Sequence, residues 1–405
     1  MNNSVISNFR MGAYQTDSPT VAYSFFDAGE VAFFVTLFVE IFVEEYRKWL
    51  GEIAALSQLG ICCTMRRKKC RDLKNMTALT IQAEQLELVY LLEKEDLGET
   101  GKQLLEGLGR SPKTISPRYF YDAKGSALFE QICELPEYYP TRTEAEILKT
   151  VSPEIAEITG NTELIELGSG SSTKTRFLLD AYQQFGQLDY VPVDVSASIV
   201  EFAAEHLFQE YKNLSVTGLI GTYEQAIAHL PDPEDLPRML VFLGSTLGNF
   251  SAAESDRFFK QTRQSLRSGD YFLLGVDRHK STDILEAAYN DNQGVTAAFN
   301  LNMLSHLNER YGSNFDLNNF RHRAIYNVSE RQIEMHLDCL QDHTVEFQDL
   351  NATVEFQAGE SILTEISRKF ELGKLRDNLA MQGLKTVKVW GDRQDWFSLI
   401  LTQVI

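Results

Sequence analysis

Between residues 164 and 276 the chain alternates short apolar runs with amphipathic stretches long enough to cross back over a sheet. The runs are 164–167, 190–195, 214–220, 239–243 and 271–276, with helical patterns over 173–182, 198–211 and 253–266 among the intervening segments. Runs this uniformly apolar do not suit a half-exposed sheet. A parallel sheet covered by helices on both faces buries them. The expected class is α/β, a doubly wound, Rossmann-like sheet.

Beyond residue 276 the pattern changes. A helix is expected over 297–311, paired antiparallel strands over 323–327 and 332–340, and a short strand over 354–357. A helix over 372–382 ends at Gly383, and strands 385–390 and 396–401 flank a hairpin at 391–395. This is an α+β insertion placed before the last two strands of the sheet. Upstream, 86–108 reads as one charged helix and 143–151 as another. Between them lie Tyr119-Phe120-Tyr121-Asp122 and Leu135-Pro136-Glu137-Tyr138-Tyr139-Pro140. Aromatics so dense beside prolines do not read as an amphipathic helix, and a packed connector is the plain alternative. The expected division is an N-terminal extension over 1–75, helices and sheet over 76–290, a substrate-binding insertion over 291–375, and the last helix and strands over 376–405.

Composition bears on partners. The chain has 57 Asp and Glu against 38 Lys and Arg, a formal net charge of −19. Such a surface repels a phosphate backbone, so no nucleic acid is expected. Five cysteines are too few and too irregular for a disulfide framework. Cys62, Cys63 and Cys70 lack a matching Cys/His set at zinc spacing, so free thiols, no metal and a cytoplasmic location are expected. The apolar run 31–43 is interrupted by Glu40 and falls well short of the roughly 20 residues of a membrane span. It also lacks the basic start and cleavage site of a signal peptide. Arg66, Arg67, Lys68, Lys69 and Arg71 read as a solvated linker, with contact to an anionic surface as the alternative. Residues 1–75 are expected to be non-functional or disordered, Met76 to start the working protein, and the protein to be a monomer.

The loop Gly168-Ser169-Gly170-Ser171-Ser172 follows the first of the alternating strands, where an open parallel sheet holds its ligands. Its glycines permit positive φ and close backbone approach, and the helix behind it offers N–H groups. A dinucleotide loop wants a third glycine; Thr173 and Lys174 stand there instead. Asp194 closes the second strand, where a carboxylate can accept both hydroxyls of a ribose. The combination suits adenosine with an amino-acid tail better than NAD, which makes S-adenosylmethionine the expected cofactor and methyl transfer the expected reaction. Glu166 reads as a brace satisfying the loop's own N–H groups.

From about Ser111 to the C-terminus the sequence resembles the histidine Nα-methyltransferases of ergothioneine biosynthesis. The matching stretches are Tyr119-Phe120-Tyr121-Asp122-Ala123, the run from Leu135 through Pro140, Thr141 and Arg142 to Glu146, and Phe242-Leu243-Gly244-Ser245-Thr246-Leu247-Gly248-Asn249. Gly294-Val295-Thr296-Ala297-Ala298-Phe299-Asn300 and Leu363-Thr364-Glu365-Ile366-Ser367 follow in the same order. The resemblance implies a Rossmann-like methyltransferase that converts L-histidine, in three transfers, to its trimethyl betaine hercynine.

The resemblance also implies roles. Asn249 and Tyr289 hold the substrate carboxylate, with Gly244 at the same site; an amide and a phenol do this without adding charge near a sulfonium. Tyr138, and Tyr121 as a second candidate, lie by the reacting amine, where aromatic faces suit a quaternary ammonium product. Glu365 and Ser367, two apart on an extended segment, share a face and read the imidazole, with Met335 against the ring. Gly168, Lys174 and Asp194 serve the cofactor, with Thr222 and Tyr223 near the adenine. Thr222 departs from the family, whose members often carry an acid there. The plain alternatives are a helix N-cap for Asn249, a buried ion pair with an arginine for Glu365, and simple core for Met335. None of the seven histidines has to act as a base; a tyrosine–water network or solvent can take the amine proton. Two other functions compete with histidine methylation, methyl transfer to another small amine such as tryptophan, and non-catalytic binding of S-adenosylmethionine. The intact set Tyr138, Asn249, Tyr289, Glu365 and Ser367 weighs against the last.

Overall fold

Burial is unbroken along Arg238–Phe242 and nearly so along Glu163–Leu167 and Tyr271–Asp277, as strands covered on both faces require. The computed structural model describes residues 80–82, 86–91, 97–230 and 236–405. These strands lie at the centre of a nine-stranded sheet. Its spatial order is β1 (Thr80–Gln82), β2 (Leu86–Tyr90), β6 (Leu214–Ile220), β5 (Leu188–Asp194), β4 (Glu163–Leu167), β7 (Arg238–Phe242), β8 (Tyr271–Asp277), β15 (Phe397–Val404) and β14 (Leu384–Gly391). Neighbours from β2 to β8 are parallel, while β1 and the β14–β15 hairpin pair antiparallel at the two edges. Ile165 enters one apolar cluster and Leu164 another, so successive side chains of β4 serve the two flanking layers.

Strand order reverses at β4, which pairs with β5 on one side and β7 on the other. The crevice beyond the carboxyl ends of these strands is the topological switch point, where sheets of this kind bind ligands.

A second sheet runs β3 (Lys113–Thr114), β13 (Ser361–Arg368), β10 (Gln332–Cys339) and β9 (Phe320–Asn327), beside a hairpin of β11 (His343–Phe347) and β12 (Ala352–Phe356). The helix Val295–Tyr311 joins it through Phe299, Met303, Leu304 and Leu307. The same cluster takes in Tyr119, Phe120, Ile132, Leu135 and Tyr139, and Phe120 stacks on Phe299 at 4.5 Å between ring centroids. The aromatic segment near residue 120 therefore shares a core with residues 285–362.

Two expectations about local structure are corrected. The charged helix expected over 86–108 is a strand, β2, followed by the helix Leu97–Leu108. Only Leu88 of β2 is buried, and β6 offers the edge on which it pairs; tertiary pairing overrides local helical preference. The aromatic stretch contains a helix, Ala123–Glu134, whose N-cap Asp122 accepts from the Gly125 N–H at 2.6 Å. The helix expected over 143–151 is the middle of Tyr139–Thr159. The expectations for residues 1–75 lie outside the described residues. Among the described residues no helix is long and apolar enough to cross a membrane.

Candidate active site

The loop after β4 turns because Gly168 and Gly170 adopt φ of +68° and +49°, a region that costs other residues strain. The N–H groups of Gly168 and Ser169 donate to the Val193 carbonyl at 2.8 and 3.1 Å, tying the loop to the end of β5. Asp194 is held by two backbone donors, Gly170 N–H on Oδ2 at 3.1 Å and Ser196 N–H on Oδ1 at 3.0 Å. Each oxygen keeps a lone pair for a further donor. A side chain at Gly168 would put its Cβ 3.0 Å from the Tyr223 hydroxyl, so Tyr223 closes over the loop. Thr222 is exposed and caps the helix Tyr223–Ala228, accepting from Gln225 N–H at 3.3 Å in a capping box.

Glu166 braces the loop differently from the expectation. Its carboxylate accepts from the hydroxyls of Tyr190, at 2.5 Å, and Thr175, and Tyr190 in turn meets the Ser172 hydroxyl at 2.8 Å. The brace thus works through side chains and leaves the loop N–H groups to other partners. Burial pushes its pKa up to about 7. The buried Ser169 hydroxyl finds no partner among the described residues. An orphaned hydroxyl in the loop, beside a carboxylate with unused lone pairs, fits an adenosine cofactor with a polar tail.

Lys174 and Gly244 are brought together by a residue that the sequence reading missed. The fully buried Glu144 pairs with the Lys174 ammonium and accepts from the Gly244 N–H, with both oxygens 2.9 Å away. The Gly244 N–H is therefore committed within the protein. Room for this carboxylate exists because residue 275 is glycine; a Cβ there would lie 1.9 Å from Glu144 Oε1.

On the other side of the crevice, β13 and β10 present the remaining candidates. Glu365 is the cross-strand partner of Met335, which is 2 % exposed, so Met335 is core and neighbour of the carboxylate at once. A bulge at Thr364 separates this pair from Leu363 and its partner His336, and bulges re-aim the side chains that follow. Burial raises the Glu365 pKa to about 7, against a lowering influence from Lys369. No arginine pairs with Glu365 among the described residues. Ser367, two residues on, accepts from the Tyr289 hydroxyl at 2.9 Å. The Tyr289 ring meets that of Tyr138 edge-to-face at 6.0 Å.

Tyr121 is 44 % exposed, with edge contacts to Phe129 and Phe299. Its open edge notwithstanding, desolvation by the protein around it raises its pKa well above the ordinary phenol value, with the charges of Glu365, Tyr223 and Asp194 adding to the rise. Burial does the same for Tyr138, reinforced by Tyr289 and Glu365. Both phenols stay protonated at neutral pH. Asn249 ends a short 3₁₀ turn, Thr246–Asn249, while Ser251 caps the following helix; the N-cap alternative for Asn249 is set aside. Gly248, next to it, lies against Ser367 and Arg368, so closely that a Cβ would be 3.0 Å from the Arg368 carbonyl.

Three further residues went unnoticed in the sequence. The Arg142 guanidinium donates to the carbonyls of Leu135 (2.5 Å), Pro136 (2.7 Å) and Tyr138 (3.2 Å), clamping the turn that carries Tyr138. Lys369 donates to Ser367 at 2.9 Å and Tyr289 at 3.2 Å and pairs with Asp277 at 2.9 Å. Arg142 stood in a matching stretch; Lys369 and Asp277 carry no local signal of burial.

A parallel sheet whose switch-point loop has no third glycine, with a ribose-type carboxylate one strand away, is the framework of the S-adenosylmethionine-dependent methyltransferases. A family model described as histidine-specific, S-adenosylmethionine-dependent methyltransferase matches residues 100–404. The histidine N-alpha-methyltransferase of Mycolicibacterium smegmatis is 43% identical over 73% of this chain and 92% of its own length. Its namesake from Mycobacterium tuberculosis is 41% identical over 76% and 96%. The L-tryptophan methyltransferase of Psilocybe serbica shares 27% identity over 76% of this chain and 94% of its own. The chain belongs to the histidine-specific, S-adenosylmethionine-dependent methyltransferase family.

Proposed function

We propose that this protein methylates the α-amine of L-histidine, three times in succession, to give hercynine in ergothioneine biosynthesis. Family membership supports the reaction, and the fungal relative named ergothioneine biosynthesis protein 1, 35% identical over half of this chain, supports the pathway. The observation that carries the substrate is the pairing of Met335 with Glu365, beside the hydrogen-bonded Tyr289 and Ser367. An apolar wall next to a carboxylate and a hydroxyl is complementary to an imidazole.

The roles follow from chemistry. When bound, S-adenosylmethionine supplies an electrophilic methyl group on a sulfonium. Asp194 would hold the ribose hydroxyls, Gly168 and Tyr223 the adenosine, and Lys174 the carboxylate of the amino-acid tail, with Thr222 at the adenine edge. Asn249 would donate to the histidine carboxylate, with Tyr289, whose own hydrogen goes to Ser367, beside it and Gly244 lining that part of the site. Glu365 accepts from one ring nitrogen and Ser367 meets the other. Tyr138 and Tyr121, protonated phenols, orient the amine lone pair and face the growing ammonium, while proximity supplies much of the rate. With both phenols protonated, the departing proton passes to water.

Residues 76–290 and 376–405 serve as the methyltransferase part and 291–375 as the substrate-binding insertion, which shares its core with the aromatic segment. The proposed working unit is a monomer. The thiols of Cys133 and Cys339 are free, which suits a cytoplasmic enzyme. Labelled S-adenosylmethionine incubated with histidine and, separately, tryptophan tests the reading. Label in histidine is expected for chains beginning at Met1 and at Met76 alike; label in tryptophan alone would overturn it.

A further inference from the structure

Lys369 is the most deeply buried cation beside the proposed substrate residues, its side chain 0% exposed. A buried ion pair is weak evidence for stability, because desolvation offsets most of its attraction. Its hydrogen bonds suggest another use. An ammonium has three donors and no acceptor, and all three are assigned, to Asp277, Tyr289 and Ser367. Burial alone would push the ammonium toward neutrality, but Asp277 and Tyr289 outweigh it and hold its pKa above the ordinary lysine value.

The consequence concerns direction. A hydroxyl donates one hydrogen and can accept two. Tyr289 and Ser367 each accept from Lys369, and Tyr289 donates to Ser367. Ser367 then has both acceptor positions filled, and its own hydrogen must leave the cluster. The pair therefore has one hydrogen to donate outward, from Ser367, and one acceptor position left, on Tyr289. Glu365, two residues earlier on β13, is the matching acceptor.

We propose that Lys369 is a positioning residue that fixes the Tyr289–Ser367 pair as a one-hydrogen donor, and that this donor selects a ring bearing an unprotonated nitrogen. The inference rests on histidine being the substrate. A neutral imidazole has one N–H and one lone pair, matching Glu365 and Ser367. An indole or pyrrole has the N–H but no in-plane lone pair, and would strand a buried donor, the kind of mismatch that discriminates strongly.

The test uses the full chain with S-adenosylhomocysteine bound, and compares L-histidine with an alanine bearing a pyrrole ring that keeps the N–H and lacks the second nitrogen. The parent protein is expected to prefer histidine by roughly 30-fold or more. Ser367→Ala and Lys369→Met should each abolish most of that preference, and the double variant should lose no more than either alone, since coupled residues are non-additive. Asp277 keeps Lys280 and Tyr139 as partners in Lys369→Met, so no carboxylate is left bare. Full preference in Lys369→Met, or a double variant losing the product of both effects, overturns the proposal. Should Lys369→Met not fold, Tyr289→Phe decides. One of the two acceptor positions of Ser367 is vacated there, so most of the preference should be lost, and full preference overturns the proposal. A parent protein that does not methylate histidine overturns the substrate reading and the proposal with it; loss of the proposal alone leaves histidine methylation intact.

Discussion

The two sides of the crevice are built by different means. On the cofactor side the turn is made by glycines, and Asp194 is held by two backbone N–H groups. The residues involved belong to successive strand–loop units of one sheet. On the proposed substrate side, Tyr138, Tyr289, Ser367 and Lys369 hold one another through side chains, with Glu365 two residues before Ser367 on β13. Backbone-built recognition is fixed once the sheet forms. Recognition built from side chains is specific only while every partner in the network is present.

Substitutions can break or sharpen this contrast. The largest effect is expected for Asp194→Ala, which should weaken S-adenosylmethionine binding by roughly 100-fold, about 2.7 kcal/mol, because a charged acceptor of two hydroxyls is lost. Calorimetry measures it, and unchanged affinity would refute the ribose role. Glu365→Ala should come next, weakening histidine about 30-fold while cofactor affinity changes less than about 3-fold. Equal losses would make Glu365 part of the framework and erase the division between the sides. Arg142→Ala should raise the histidine KM by about 10-fold, since the turn carrying Tyr138 loses its clamp; steady-state kinetics at saturating cofactor would reveal a KM that does not move.

The smallest effect concerns pH. Burial raises Glu166 and Glu365 from 4.5 to about 7 in the folded protein. The folded state therefore holds extra protons between those values. Their stabilising contribution is complete below about pH 4.5 and is lost as pH rises through about 7. Glu365→Gln should flatten the fall in Tm between about pH 5 and 8, by about 2 °C. A thermal-shift series with the parent's slope would show that this carboxyl titrates normally.

The sheet could be read from the sequence because its central strands are too apolar for any other setting, and Asp194 because a strand end beside a glycine loop has few uses. Glu365 and Met335 were named through resemblance, since spacing alone left Met335 as core. Local pattern misled at β2, where acidic residues among leucines imitate a helix and only the edge of β6 decides. It was silent at Lys369, which follows Arg368 and reads as surface charge. Its burial depends on Asp277 at the end of β8, a pairing that exists only after the two sheets have met. Glu144 was hidden for a similar reason, because the space it fills is created by a glycine on another strand.

That glycine bears on how natural variation in this chain should be scored. Alanine for glycine inside a strand is usually counted among the mildest of exchanges. At position 275 the added methyl would take the place of a carboxylate oxygen, unseating Glu144 and with it the anchors of Lys174 and the Gly244 amide. A variant there would look harmless on any scale of residue similarity, and would disturb two of the proposed ligand-binding positions at once.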